Sequence, residues 1–236
     1  MIKEAIILAG GLGTRLSSVL KDTPKAMAPI NGRPFLDYQL DYLAAFGIDH
    51  VIISVGHLRE KIMDHYQNQY NTIRIDYAIE EEPMGTGGGL LLAMKKVEGH
   101  SVYVLNGDTF YMIDYQKFLD IHRAKESKCS IILREMNDVS RYGAIERNED
   151  RQITGFYEKS DRQGEGFING GVYLINKAFF LNQNLPERFS LEKDFFQKIY
   201  TQQKIYGILC RQYFIDIGVP EDYDKAQDDF KEFEYF

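Results

Sequence analysis

Leu8-Ala9-Gly10-Gly11-Leu12-Gly13-Thr14-Arg15-Leu16, with Pro24-Lys25-Ala26-Met27-Ala28-Pro29 a short way downstream, decides how this chain is read. Glu4 to Leu8 is apolar and β-favouring, so it predicts a first strand whose carboxyl end runs into a glycine-rich loop. Three glycines in four positions let backbone N–H groups approach a ligand without Cβ interference, and successive N–H groups form an anion nest. Arg15 and Lys25 add two cations to an otherwise acidic chain. Together these features describe a polyphosphate cradle. Neither of the two commonest phosphate loops fits. A Walker loop needs Gly-Lys-Ser/Thr where Thr14-Arg15 stands, and the Gly-x-Gly-x-x-Gly of dinucleotide folds fails at Leu16.

Working outward, apolar periodicity alternates strand and helix through the first half. Strands are expected at 4–8, 50–55, 73–79 and 102–105, with helices at 34–46, 58–70, 87–97 and 114–125. That rhythm predicts an α/β fold with a mostly parallel sheet. From Cys129 onward short strands follow one another, at 129–135, 142–147, 152–158 and 168–175, and read as a β-rich insertion forming an acceptor-binding lobe. Helices at 177–182, 190–202 and 220–232 and strands at 205–210 and 212–216 complete the chain. The expectation is a single domain, 1–236, with a nucleotide-binding half (1–126) and an acceptor half (127–236).

Composition narrows the function classes. With 236 residues and a formal charge of −7, the chain lacks the clustered Lys/Arg that nucleic acid or an anionic membrane demands, so neither partner is expected. Cys129 and Cys210 are far apart and without metal-ligand spacing, which fits a reduced cytoplasmic location. No apolar stretch reaches transmembrane length. None of the five histidines sits in a catalytic constellation.

The double motif resembles the sugar-1-phosphate nucleotidyltransferases, whose signature is roughly Gly-Gly-x-Gly-Thr-Arg-Leu followed by Pro-Lys-Pro-Met. The resemblance extends from Ile6 to Tyr223 and implies a Rossmann-like, three-layer, glycosyltransferase-A-like fold. It places Leu8, Ala9, Gly10, Gly11, Gly13, Thr14, Arg15 and Lys25 around the nucleotide, with Arg15, Lys25 and Asp108 as catalytic residues. Asp108, in Leu105-Asn106-Gly107-Asp108-Thr109, lies just past a strand end. A carboxylate beside a phosphate cradle needs a bridging cation, and Mg²⁺ is the usual one. The late run Phe214-Ile215-Asp216-Ile217-Gly218-Val219-Pro220-Glu221-Asp222-Tyr223 resembles the family segment whose aspartate is the second metal ligand, so Asp216 joins Asp108.

The same resemblance assigns Glu80-Glu81-Glu82-Pro83-Met84-Gly85-Thr86 to the base and ribose, with Gly107 adjoining. Guanine offers two adjacent donors that one carboxylate can accept, so Glu80 or Glu81 favours GTP, while uracil's single N–H leaves UTP in play. Gly143, Glu158, Lys159, Asn169 and Gly170 resemble the positions that hold the sugar and its 1-phosphate. Within the family, the small heptose 1-phosphate guanylyltransferases resemble this chain most. That implies Mg²⁺-dependent guanylyl transfer from GTP to a sugar 1-phosphate, D-glycero-α-D-manno-heptose 1-phosphate, and is compatible with a homodimer. The alternatives are a mannose-1-phosphate guanylyltransferase, a glucose-1-phosphate uridylyl-, thymidylyl- or cytidylyltransferase, and a catalytically silent nucleotide sensor. A sensor would be expected to lose Asp108, Asp216 or Lys159, and all are present. A molybdenum-cofactor guanylyltransferase is disfavoured by Thr14 and Leu16. Ser18, Leu20, Ala26 and Ser160 depart from common family residues and bear on loop stiffness rather than charge.

Overall fold

Ile6 turns to one side of the central sheet while Ala5 and Ile7 turn to the other, and each side carries its own apolar core. That two-sided burial is what a strand packed between two helical layers requires. The structure is a computed structural model and describes residues 1–11, 16, 20, 22–140, 142–157, 161–231 and 233. The strands are β1 (Glu4–Leu8), β2 (Pro29–Ile30), β3 (Arg33–Pro34), β4 (His50–Val55), β5 (Gln69–Tyr70), β6 (Ile73–Ile79) and β7 (Ser101–Asn106). Then come β8 (Thr109–Tyr111), β9 (Cys129–Met136), β10 (Ile145–Arg147), β11 (Ile153–Phe156), β12 (Gly166–Asn176), β13 (Tyr206–Cys210) and β14 (Phe214–Asp216). The helices are α1 (Phe35–Ala45), α2 (Arg59–Tyr66), α3 (Gly85–Met94), α4 (Tyr115–Ala124), α5 (Lys177–Leu181), α6 (Gln197–Ile199) and α7 (Pro220–Asp229).

Among the described residues one sheet holds ten strands, and its centre runs β7-β1-β4-β6 with every neighbour parallel. The chain leaves β1 toward β4 and β6, then returns to the other side of β1 with β7. The crevice for a ligand therefore opens at the carboxyl ends of β1 and β7, where Leu8 pairs with Asn106. Faces of α1, α4 and α7 pack on one side and those of α3 and α5 on the other, which makes three layers. The β-rich second half is present, and it continues the same sheet rather than forming a separate insertion. The eleven-residue β12 pairs antiparallel with β7, β9 and β10 and so joins both halves.

The expected helix 190–202 resolves into a π-helical turn, Leu191–Phe196, and the short α6. Phe195 and Phe196 of that turn are both buried in the core that α3 also faces. The pairing of β8 with β14 and the β2–β3 hairpin have no counterpart in the sequence pattern. No described helix is long and apolar enough to cross a membrane.

His122, on α4, is buried, and its Nδ1 lies 2.9 Å from Ser130 Oγ. Burial, with smaller repulsion from Arg123 and Lys128, pulls its pKa down to about 4 from 6.5. The unfolded chain then binds the extra proton between these values, so this group lowers stability as the pH falls through 6.5 toward 4. Between pH 7 and 5 the term amounts to about 2 kcal/mol. His122→Gln should therefore flatten the fall in urea-denaturation free energy over that range by a similar amount. An unchanged slope would mean that His122 does not titrate on unfolding.

Candidate active site

The carboxyl ends of three central strands, β1, β4 and β6, meet around one buried carboxylate. Glu80, just past β6, is only 8% exposed; its Oε1 accepts from Ser54 Oγ at 3.2 Å and its Oε2 from the Met84 N–H at 3.0 Å. Gly10 of the loop and Gly89 of α3 press on it. A Cβ at Gly89 would stand 2.5 Å from Glu80 Oε1 and 2.6 Å from Ser54 Oγ, and one at Gly10 would overlap the same oxygen. Beside them Gly107 donates to the Leu8 carbonyl at 2.9 Å, and a Cβ there would lie 2.8 Å from that oxygen. These glycines are therefore required by close packing at the strand ends, whatever else the loop does.

Asp108 follows directly. Gln39, buried on α1, donates to the carbonyls of Asn106 at 2.9 Å and Thr109 at 2.7 Å, bracketing the aspartate between two fixed peptides. The antiparallel β8–β14 pair sets Asp216 opposite Thr109, and the Ile217 N–H donates to the Asp108 carbonyl at 2.9 Å. Lys25, at the start of a 3₁₀ turn (Lys25–Met27), sends Nζ to 2.5 Å from Asp108 Oδ2 and 3.9 Å from Asp216 Oδ1. Its side chain is 13% exposed, against 32% and 27% for the two aspartates. Two half-open carboxylates thus share one sheltered ammonium.

Asp108 and Asp216 line a cavity of about 380 Å³, together with Gly143, Asn169, Glu192 and Lys193. Asn169 Nδ2 donates to Tyr173 Oη at 2.8 Å, and Gly143 has a φ of +78°. Gly170 does not line this cavity and packs against Tyr111 and the Ile132 carbonyl. Leu8, Ala9, Gly10, Glu80, Glu81, Gly85, Thr86 and Gly107 likewise lie off its wall. Glu81 is exposed and pairs with Arg59 at 2.9 Å, while Glu80 is committed to Ser54 and Met84. Thr86 sits in the first turn of α3, which begins at Gly85 with a φ of +75°. Gly11 is exposed, with open space where a Cβ would stand. Gly13, Thr14, Arg15, Glu158 and Lys159 lie outside the described residues, as does Arg141.

The sequence reading missed Ser190, Glu192, Lys193 and Gln197, all on this wall. Ser190 caps the following turn by accepting from the Lys193 N–H at 3.2 Å. A capping serine followed by Glu-x-Asp was the available signal, and it points to a helix start as readily as to a site.

A family model described as Nucleotidyl transferase matches residues 4–232. The chain belongs to the nucleotidyl transferase family. A D-glycero-alpha-D-manno-heptose 1-phosphate guanylyltransferase from Aneurinibacillus thermoaerophilus is 44% identical to this nucleotidyltransferase over 98% of this chain and 99% of its own. One from Campylobacter jejuni is 46% identical over 93% and 96%. The solved structure of HddC from Yersinia pseudotuberculosis, also known complexed with GMP-PN, superposes with a TM-score of 0.86 at 39% identity. It covers 98% of this chain and all of its own.

Gly89→Ala should destabilise this nucleotidyltransferase by roughly 1–3 kcal/mol in urea denaturation, although alanine favours a helix by about 1 kcal/mol. Gly11→Ala should shift stability by less than about 0.5 kcal/mol. Equal effects at the two positions would show that the Glu80 carboxylate moves aside freely.

Proposed function

We propose that this enzyme transfers GMP from GTP to D-glycero-α-D-manno-heptose 1-phosphate, yielding the GDP-sugar and pyrophosphate. The near-full-length likeness to two heptose 1-phosphate guanylyltransferases carries this reading. A sugar-phosphate oxygen bonds to the α-phosphorus as the bond from that phosphorus to the bridging oxygen breaks. Pyrophosphate departs with the electron pair. Such a displacement needs positioning and charge neutralisation rather than a covalent enzyme intermediate.

The donor set at Asp108 and Asp216 fits Mg²⁺. Both are hard oxygen donors, both are partly exposed to the cavity, and both already converge on one positive charge, Lys25. Magnesium commonly takes one or two carboxylates and completes its shell with phosphate oxygens and water. When bound, it supplies neutralisation of the phosphate charge that builds as pyrophosphate leaves. Gln39 fixes the peptides on either side of Asp108 so that the carboxylate is preset, and Lys25 offers its ammonium to the polyphosphate from beside the two aspartates. Arg15 joins Lys25 in the cradle, and Lys159 neutralises the sugar phosphate while Glu158 and Asn169 accept and donate to its hydroxyls. Gly143 keeps backbone close to the sugar, and Thr86 and Gly85 border the ribose.

Pyrophosphate release across four nucleoside triphosphates and several sugar 1-phosphates should be greatest for GTP with the manno-heptose 1-phosphate. Turnover at least about a hundredfold better with UTP or dTTP and glucose 1-phosphate would overturn the guanylyl assignment. Asp108→Asn and Asp216→Asn should each cut Mg²⁺-supported turnover by roughly a hundredfold or more while the thermal midpoint stays near that of the parent. Full activity in either variant would remove that aspartate from the metal site.

A further inference from the structure

Glu192 is held as a functional carboxylate is held, yet no motif named it. It sits in the π-helical turn Leu191–Phe196 on the wall of the cavity that Asp108, Asn169 and Asp216 also line. Two hydroxyls fix one of its oxygens: Thr86 Oγ1 and Ser190 Oγ each donate to Oε2 at 3.0 Å. Both hydroxyls are themselves oriented by backbone donors. The Leu191 N–H donates to Thr86 Oγ1 at 2.9 Å and the Lys193 N–H to Ser190 Oγ at 3.2 Å. Each hydroxyl has a single proton, and these contacts spend it on Glu192. Among the described residues no hydrogen bond reaches Oε1. The cap of the turn belongs to Ser190, so the carboxylate is not needed for that task. π-Helical turns inside helices recur at functional sites, and here the wide turn leaves Glu192 on the cavity side while Phe195 and Phe196 enter the core.

We infer that Glu192 is a specificity-determining residue for the acceptor, its Oε1 accepting hydrogen bonds from hydroxyls of the sugar. An ionised carboxylate only accepts, and it repels phosphate, so it meets the donor-bearing polyol rather than the 1-phosphate or the nucleotide's phosphates. A carboxylate oxygen has lone pairs for two hydroxyls on neighbouring carbons, an arrangement that sugars offer. The two anchoring hydroxyls preset the group, so little side-chain freedom is lost when the sugar binds. Thr86 lies on α3 and Ser190 beside the turn, so the acceptor contact is braced against the helix that opens beside Glu80.

This inference rests on the sugar-phosphate reading above. It is tested by steady-state kinetics with the heptose 1-phosphate and mannose 1-phosphate, alongside equilibrium binding of a non-hydrolysable GTP analogue. Glu192→Gln keeps the volume and removes the charge, and Glu192→Ala removes the group. Both should raise KM for the sugar phosphate by about ten- to a hundredfold, since a charge-assisted contact is lost. Affinity for the GTP analogue should stay within about twofold. Ser190→Ala, which frees one anchor, should give a smaller rise in the same KM. An unchanged KM in an active Glu192→Gln enzyme would overturn the inference alone. A matching loss of nucleotide affinity would also overturn it, making Glu192 a brace for α3. A parent enzyme that turns over no sugar 1-phosphate would overturn the guanylyl-transfer reading itself, and this inference with it.

Discussion

The buried carboxylate of Glu80 is the constraint around which the strand ends are arranged. It ties β6 to Ser54 at the end of β4 and to the backbone entering α3. A half-satisfied carboxylate in that position would be costly, so its two oxygens need their donors. The space the carboxylate occupies is the space that side chains at residues 10 and 89 would need. The glycine loop thus has two reasons to lack side chains, one facing the interior and one facing a ligand. Changes at these positions should not combine additively, because they share one neighbour.

Charge is concentrated where the chain needs it and dispersed elsewhere. A chain with an excess of acidic residues brings Asp108 and Asp216 together, a placement that repulsion would oppose without the ammonium of Lys25 between them. Gln39 adds a neutral restraint on the same loop, and its own Oε1 is buried without a hydrogen-bond partner among the described residues. The arrangement is stiff before any substrate arrives, which suits chemistry that depends on placement.

The parallel centre was legible because β1 and β4 are short, mainly apolar runs and β6 interleaves apolar residues with Arg74 and Asp76, and the edges of all three agree with the structure to the residue. The start of α3 was less legible. Glycine-rich sequence argues against a helix, and only the packing of Phe189 and Glu80 against it explains the choice. Asp108 and Asp216 were singled out through motifs, whereas their meeting depends on β8 pairing with β14, a contact that no local pattern encodes. Glu192 was missed for the opposite reason. A glutamate in the first turn of a helix has an ordinary explanation in the helix dipole, and the hydroxyls that single it out come from residue 86 and from the cap.

The β8–β14 pair also bears on how the molecule is made. These two strands form a small sheet apart from the main one, and their partners stand more than a hundred positions apart in the chain. Closing so long a loop is entropically late, since it gains contacts only after the central strands already stand. A growing polypeptide emerging from the ribosome would hold the glycine loop, Lys25 and Asp108 well before Asp216 exists. Until β14 docks, one carboxylate faces one ammonium and the pair is neutral. Docking of β14 brings the second carboxylate up to this pair, so the two-carboxylate arrangement around Lys25 exists only once the last strand is in place.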